Sequence, residues 1–204
     1  MTPIVLIPVK DLGSGKGRLR EILSEDERRC LNRRLLNKTL ERTKLFPGSG
    51  NSYVVTECSE VGRICGIYGI RPLLVPALSG LNDGLHEGIS MIRARTAEGV
   101  LIVPVDLPLA TADDCRLICQ GFSAEEIVIC PDRQGRGTNA LLLPPDCEFN
   151  FSFGVDSRRN HEIAARRLGL RTRICANAAI SYDLDEPEDF EKLAPFVVGE
   201  GTII

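Results

Sequence analysis

Aromatic residues make up only 5% of this 204-residue chain, and histidine occurs twice, as His86 and His161. So little aromatic surface, with no aromatic motif interleaved among the cations, argues against nucleic acid as a partner. Eight cysteines are present, but no two are spaced C-x-x-C. That excludes the common zinc and dithiol patterns and leaves buried free thiols, the state expected in a reducing cytoplasm. The apolar start, Ile4 to Val9, runs straight into a basic loop and is too short for a signal sequence or a membrane span. A soluble, cytoplasmic protein with no membrane partner is therefore expected.

Two familiar phosphate loops are also missing. After the first apolar run come Gly13, Gly15, Lys16, Gly17 and Arg18. A G-x-x-x-x-G-K loop needs Ser or Thr next, because that hydroxyl holds magnesium, and here Gly17 follows Lys16. The dinucleotide fingerprint needs G-x-G-x-x-G, and these glycines are spaced G-x-G-x-G. What remains is a strand emptying into a cationic, glycine-bearing loop. Such a loop either cradles a triphosphate through backbone amides, Lys16 and Arg18, or is a flexible surface loop with solvated cations.

What is present is an ordinary globular balance of 43% hydrophobic and 26% charged residues. One domain over residues 1–204 is the natural expectation. Charge is uneven: residues 1 to 46 carry 11 Lys or Arg against 6 Asp or Glu, and the remainder carries 14 against 22. The basic end suits a polyanion, and the acidic remainder suits a cation.

Short apolar runs alternate with helical spacing along the chain. Strands are expected at residues 4–9, 53–56, 73–75, 100–105, 126–130 and 140–143. A helix opens at the capping box Ser24-Glu25-Asp26-Glu27 and continues through Leu31, Leu35, Leu36 and Leu40, with its arginines, Arg42 included, on a solvated face. Thr111 is expected to cap another helix, and His86 and His161 to lie on helix surfaces. This alternation predicts parallel βαβ units in an α/β fold.

Polar positions gather where strands end. Gly80 and Asn82 open a helix at a turn, where the exposed amides meet a ligand or Asn82 serves as a plain N-cap. Asp106 ends the most apolar run, either as a metal ligand or as a turn residue. Thr138 and Asn139 follow a glycine-bearing loop and suit a carboxylate or phosphate acceptor; Gly154 and Ser157 form a similar turn. Asp183 and Asp185, two apart, project to one side of an extended backbone. With Asp106 they make a magnesium site, or else they are an acidic turn before the helix of Glu188, Asp189 and Phe190. The tail 197–204 is apolar enough to add a strand or to reach a second subunit in a homodimer.

Taken together, the stretches I-P-V-K-x-L-x-x-x-K-x-R-L, V-D-L-P, P-D-R-x-x-x-G-T-N-A-L-L, F-G-x-x-S with a following histidine, and D-L-D-x-P-E-D-F resemble the 2-phospho-L-lactate guanylyltransferase family of coenzyme F-420 biosynthesis. The resemblance covers nearly the whole chain. It implies a Rossmann-like, mostly parallel sheet with flanking helices, of the nucleotide-diphospho-sugar transferase, or glycosyltransferase-A-like, fold. It implies a magnesium-dependent transfer from GTP to 2-phospho-L-lactate, giving a lactyl diphosphoguanosine and pyrophosphate.

Carried onto this sequence, the resemblance gives Gly15, Lys16 and Arg18 to the triphosphate, and Gly80 and Asn82 to the neighbourhood of the base. It gives Asp106, Asp183 and Asp185 to the metal, and Thr138, Gly154 and Ser157 to a small phosphorylated three-carbon acid. Lys16, Arg18 and Asp106 are the implied catalytic groups. Gly17 departs from the pattern, standing where a serine or threonine is expected. Rival readings are transfer to phosphoenolpyruvate, 3-phosphoglycerate or a sugar phosphate, and a non-catalytic nucleotide-binding regulatory module.

Overall fold

A computed structural model describes residues 2–13, 15–76, 80–92 and 98–198. Its strands are β1 (Ile4–Pro8), β2 (Ser52–Thr56), β3 (Arg71–Leu74), β4 (Val100–Ile102), β5 (Glu126–Pro131), β6 (Thr138–Leu143) and β7 (Arg171–Ile174). The helices are α1 (Glu25–Leu45), α2 (Ser59–Ile67), α3 (Leu81–Ile92), α4 (Ala112–Cys119), α5 (Ser157–Arg167), α6 (Ala178–Ser181) and α7 (Pro187–Val198).

The strands form one sheet in the order β3-β2-β1-β4-β6-β5-β7. β1 pairs in parallel with β2 on one side and β4 on the other, whereas β6 runs antiparallel to both β4 and β5. The mostly parallel α/β architecture expected from the sequence is what forms. Reversal at β6 has a direct consequence: β4 finishes and β6 begins at the same edge of the sheet. Polar residues after β4 and at the start of β6 therefore share one rim.

Alternation along the strands divides the core. Val5, Ile7, Val54, Leu101, Val128 and Leu142 meet Leu36, Leu40, Val61, Cys65 and Ile118 on one face of the sheet. On the other, Ile4, Leu6, Tyr53, Ile102, Ile129 and Leu141 meet Leu85, Ile92 and Ala165. A strand buried on both faces reads as an unbroken apolar run, as β1, β4 and β6 do.

Several expectations are corrected in detail. β4 stops at Ile102 rather than at Val105, because Val103 makes its last bond to Leu6 (3.2 Å) and Pro104 has no N–H to continue the ladder. β7 has no apolar signature; it is an edge strand pairing with β5, its arginines facing Glu125 and Glu126. Arg42 is buried, not solvated: its guanidinium donates to the carbonyls of Leu107 and Ala110, both at 3.3 Å, and so braces the loop after Asp106. His161 is fully buried, while His86 is exposed as expected. Val197 and Val198 end α7 instead of starting a strand, and the rest of the tail, 199–204, lies outside the described residues.

The capping box at Ser24 and Glu27 forms as read, and Thr111 caps α4 with Asp114. All eight cysteines are free, with Cys65, Cys115, Cys119 and Cys130 buried and the other four half-buried. Among the described residues no helix is long and apolar enough to cross a membrane.

Helix α3 lies tight on the sheet through Gly88, where an added Cβ would sit 3.2 Å from Val55 Cβ and 3.5 Å from Leu6 Cδ2. Gly88→Val is expected to overpack this contact and to cost about 1–3 kcal/mol, read as a lower urea midpoint. An unchanged midpoint would mean that α3 yields without loss.

Candidate active site

The basic loop is held in place by leucine packing. Leu19, in a short 3-10 turn (Gly17–Glu21), is fully buried with Leu31, Leu35, Leu184 and Leu193. Leu184 lies between Asp183 and Asp185, and its N–H donates to the Asp106 carbonyl at 2.9 Å. One apolar cluster and one backbone bond therefore bring three distant segments together.

At their meeting point Lys16 Nζ donates to Asp106 Oδ2 at 3.0 Å and to Asp185 Oδ1 at 2.7 Å. The side chain of Lys16 is only 7% exposed. Its backbone is left-handed, φ 59 and ψ 40, which turns the side chain inward from the loop. Burial pulls the ammonium pKa down, but the attraction of Asp106 and then Asp185 outweighs it and leaves the pKa above the ordinary lysine value. Gly15 is required on the same approach, since a Cβ there would sit 2.8 Å from Asn32 Nδ2. Gly17 is under no such constraint: its nearest neighbour would be an Arg20 side chain at 3.8 Å, so a serine would fit.

Asp183 lies behind this pair. Its Oδ1 accepts from Asn139 Nδ2 at 3.2 Å, and the same amide donates to the Ile180 carbonyl at 2.9 Å. Burial, then Asp106, then Asp185 raise the Asp183 pKa to about 6, the response of a carboxyl crowded by like charge. Two carboxylates thus share one ammonium with a third beside them, and acidic groups outnumber the cation.

Among the described residues no three His, Cys, Asp or Glu side chains close on a common point as a ligand set. Lys16 Nζ fills the space between two of the acids. The donor chemistry nevertheless fits magnesium, which is commonly held by one or two carboxylates and completed by substrate phosphates and water. Asp183 with Asp106 or Asp185 supplies that number of hard oxygens.

Around these groups opens a cleft of about 740 Å³, lined by Arg18, Asp106, Arg133, Arg136, Thr138, Asn139, Gly154, Ser157, Asp183 and Asp185, among others. Arg18 pairs with Glu186 at 2.7 Å at the exposed edge. Gly154, at φ 126, occupies backbone that side chains avoid, and Ser157 opens α5 with its N–H on the Gly154 carbonyl at 3.2 Å. Thr138, Gly154 and Ser157 lie in the wall of the same cleft as the acids.

Gly80 and Asn82 are not in that wall. Gly80 borders a slot of about 40 Å³ beside Val55, Glu57, Val75 and Leu81. Asn82 lies inside the first turn of α3 rather than at its N-cap, and its amide clasps the Phe153 backbone, accepting from N–H at 2.8 Å and donating to C=O at 3.2 Å. The Asn139 amide is likewise spent, on Asp183 and Ile180, and not offered to an acceptor.

Sequence reasoning missed three groups. Arg133 stacks 4.5 Å over the Tyr182 ring and pairs with Asp189 at 2.9 Å, while Asp189 also accepts from the Glu186 N–H at 3.0 Å. Arg133 and Arg136 fall within the P-D-R-x-x-x-G-T-N-A-L-L stretch, so a signal existed in the two cations beside Thr138 and Asn139. For His161 the sole sign was its place after F-G-x-x-S.

Similar proteins are found both in fold and in sequence. In fold, the chain is similar to a Desulfovibrio desulfuricans protein assigned to the nucleotide-diphospho-sugar transferases, at TM-score 0.74 and 14% identity over 97% of this chain and 88% of that one. It is also similar to a cytidylyltransferase from Leptospira borgpetersenii, at TM-score 0.59 and 14% identity over 93% and 83%. These likenesses define the fold class, a mostly parallel Rossmann-like sheet. A model described as "Guanylyl transferase CofC like" matches residues 3–203, and the chain belongs to this family of guanylyltransferase enzymes. Relatives named phosphoenolpyruvate guanylyltransferase include those of Sphaerobacter thermophilus, 35% identical over 95% of this chain and 93% of the relative, and Rubrobacter xylanophilus, 34% identical over 95% and 94%.

Buried His161 makes a pH prediction. Burial lowers its pKa to about 4, against about 6.5 for an exposed histidine. Between those values the unfolded chain binds a proton that the native state refuses, so this residue makes stability rise with pH from about 4 to 6.5 and fall as pH drops through the window. The effect is at most roughly 3 kcal/mol. Urea unfolding at pH 4.5 and 7 should show a steeper pH dependence for the wild type than for His161→Gln; equal dependences would contradict a neutral native ring.

Proposed function

We propose that the cleft joins GTP to a phosphorylated three-carbon acid, phosphoenolpyruvate ahead of 2-phospho-L-lactate, and releases pyrophosphate, as a step of deazaflavin coenzyme F-420 biosynthesis. The observation that carries the reading is that one cleft gathers Arg18 and the three aspartates, two of them paired to Lys16, together with the small hydroxyl and glycine positions Thr138, Gly154 and Ser157. Phosphoenolpyruvate comes first because the named relatives take their name from it. The whole reaction is proposed for one cytoplasmic domain.

The acceptor phosphate is the nucleophile. A phosphate monoester is already anionic near neutral pH, so the cleft needs no general base, in keeping with the neutral, buried state of His161. An acceptor oxygen attacks the α-phosphorus of GTP in line; the new P–O bond forms as the bond to the β-phosphate oxygen breaks, and pyrophosphate leaves with the electron pair. Lys16 and Arg18 neutralise the charge that gathers on the α- and leaving phosphates. Magnesium, when bound by the aspartates, adds Lewis-acid stabilisation of the same charge. Asn139 keeps Asp183 oriented, and Arg42 braces the loop that carries Asp106. Asp106 and Asp185 hold the Lys16 ammonium in place before substrate arrives, so little reorganisation is needed at the moment of reaction.

Pyrophosphate release should be measured with magnesium, GTP, ATP, CTP and UTP, each against phosphoenolpyruvate, 2-phospho-L-lactate, 3-phosphoglycerate and a sugar phosphate. Release with GTP and one three-carbon acid is expected. Asp106→Asn should lose about a hundredfold or more in kcat while remaining folded, with a lower unfolding midpoint because Lys16 loses one of its two carboxylates. Turnover with a sugar phosphate alone, or an Asp106→Asn enzyme as fast as the wild type, would overturn the proposal.

A further inference from the structure

His161 reaches no cleft surface, yet both its ring nitrogens are engaged. The Ser152 N–H donates to Nε2 at 3.1 Å, so Nε2 carries the lone pair. In a neutral ring the proton must then sit on Nδ1, which lies 3.0 Å from Thr138 Oγ1. Nδ1 is the donor and the threonine oxygen the acceptor. The hydroxyl proton of Thr138 is left over, and among the described residues no acceptor is recorded for it. Thr138 opens β6 on the cleft wall, so the space left for that proton is the cleft.

The ring itself has little freedom. Its centroid is 4.8 Å from that of Phe153 and 5.6 Å from that of Phe149. The Phe153 backbone is in turn clasped by Asn82. A doubly protonated ring would set two N–H groups against each other at Ser152, which the apolar surroundings penalise further.

We infer that His161 is a positioning residue: through its Nδ1–H it fixes the Thr138 hydroxyl as a hydrogen-bond donor aimed at an anionic oxygen of the acceptor. The inference rests on the transfer reading for the acceptor's identity, and the orientation of Thr138 makes the wall selective for an acceptor oxygen over a donor group at that point. A freely rotating hydroxyl would serve either.

Two substitutions separate the ring's contacts. Asn at 161 can place an amide N–H near the position of Nδ1 and donate to Thr138, while Gln can place its carbonyl near Nε2 and accept from Ser152. His161→Gln should raise the acceptor KM about tenfold and leave the GTP KM within about twofold. His161→Asn should keep the acceptor KM near the wild-type value even where it lowers the unfolding midpoint. Thr138→Val should raise the acceptor KM to a similar extent as His161→Gln, and the double variant should be no worse than either alone.

Nitrogen-15 spectra of the wild-type ring should put the proton on Nδ1. A proton on Nε2, equal KM effects of Asn and Gln, or additive effects in the double variant would overturn the inference. Failure of the wild type to transfer to any acid would instead sink the transfer reading, and the acceptor half of this inference with it, whatever the spectra give.

Discussion

The site depends on one ammonium group shared by two carboxylates. Lys16 Nζ lies within 3.0 Å of both Asp106 and Asp185, groups 90 and 169 residues away in sequence. Neither acid belongs to the same segment as the lysine, so the contact can form only when the loop after β1, the loop after β4 and the segment before α7 have all docked. Removing water from a lysine this buried is costly, and the two carboxylates offset that cost. A triphosphate oxygen would serve the ammonium equally well, and the carboxylates it released would then be free to hold magnesium.

What makes that exchange plausible on physical grounds is the packing beneath it. Leu19 of the loop after β1 and Leu184 of the segment before α7 are fully enclosed against Leu31, Leu35 and Leu193 of α1 and α7, and the Leu184 N–H ties the loop after β4 through the Asp106 carbonyl. Burial of that surface holds the backbone in place while the charged groups above it change partners, since each enclosed leucine is worth on the order of 2 kcal/mol. The reversed strand β6 completes the design by delivering Thr138 and Asn139 to the rim where β4 ends. A fully parallel sheet would carry the start of that strand to the opposite edge.

Much of this was legible in the residues. The cores of the apolar strand runs and the capping boxes at Ser24 and Thr111 correspond to what forms, because each is a local pattern with a local cause. Contacts set by tertiary packing were less legible. Arg42 reads as one of a row of solvated arginines, and only the fold reveals the carbonyls of Leu107 and Ala110 over it. His161 reads as a helix-surface residue until Phe149 and Phe153 close around it. β7, with the sequence Arg-Thr-Arg-Ile, has no apolar alternation and exists because β5 offers an edge to pair with. Asn82 reads as a residue near a ligand or as a plain N-cap, and Asn139 as an acceptor-binding amide; both side chains are spent on protein groups, a distinction that spacing alone does not carry.

The most direct test of the shared-lysine account is an anomalous difference map from crystals grown with manganese and GTP. The account predicts a metal peak bound by Asp183 together with Asp106 or Asp185, with Lys16 Nζ turned onto a phosphate oxygen. A nucleotide bound away from the Lys16 loop, or Lys16 still bridging Asp106 and Asp185 with no metal among the three aspartates, would contradict it.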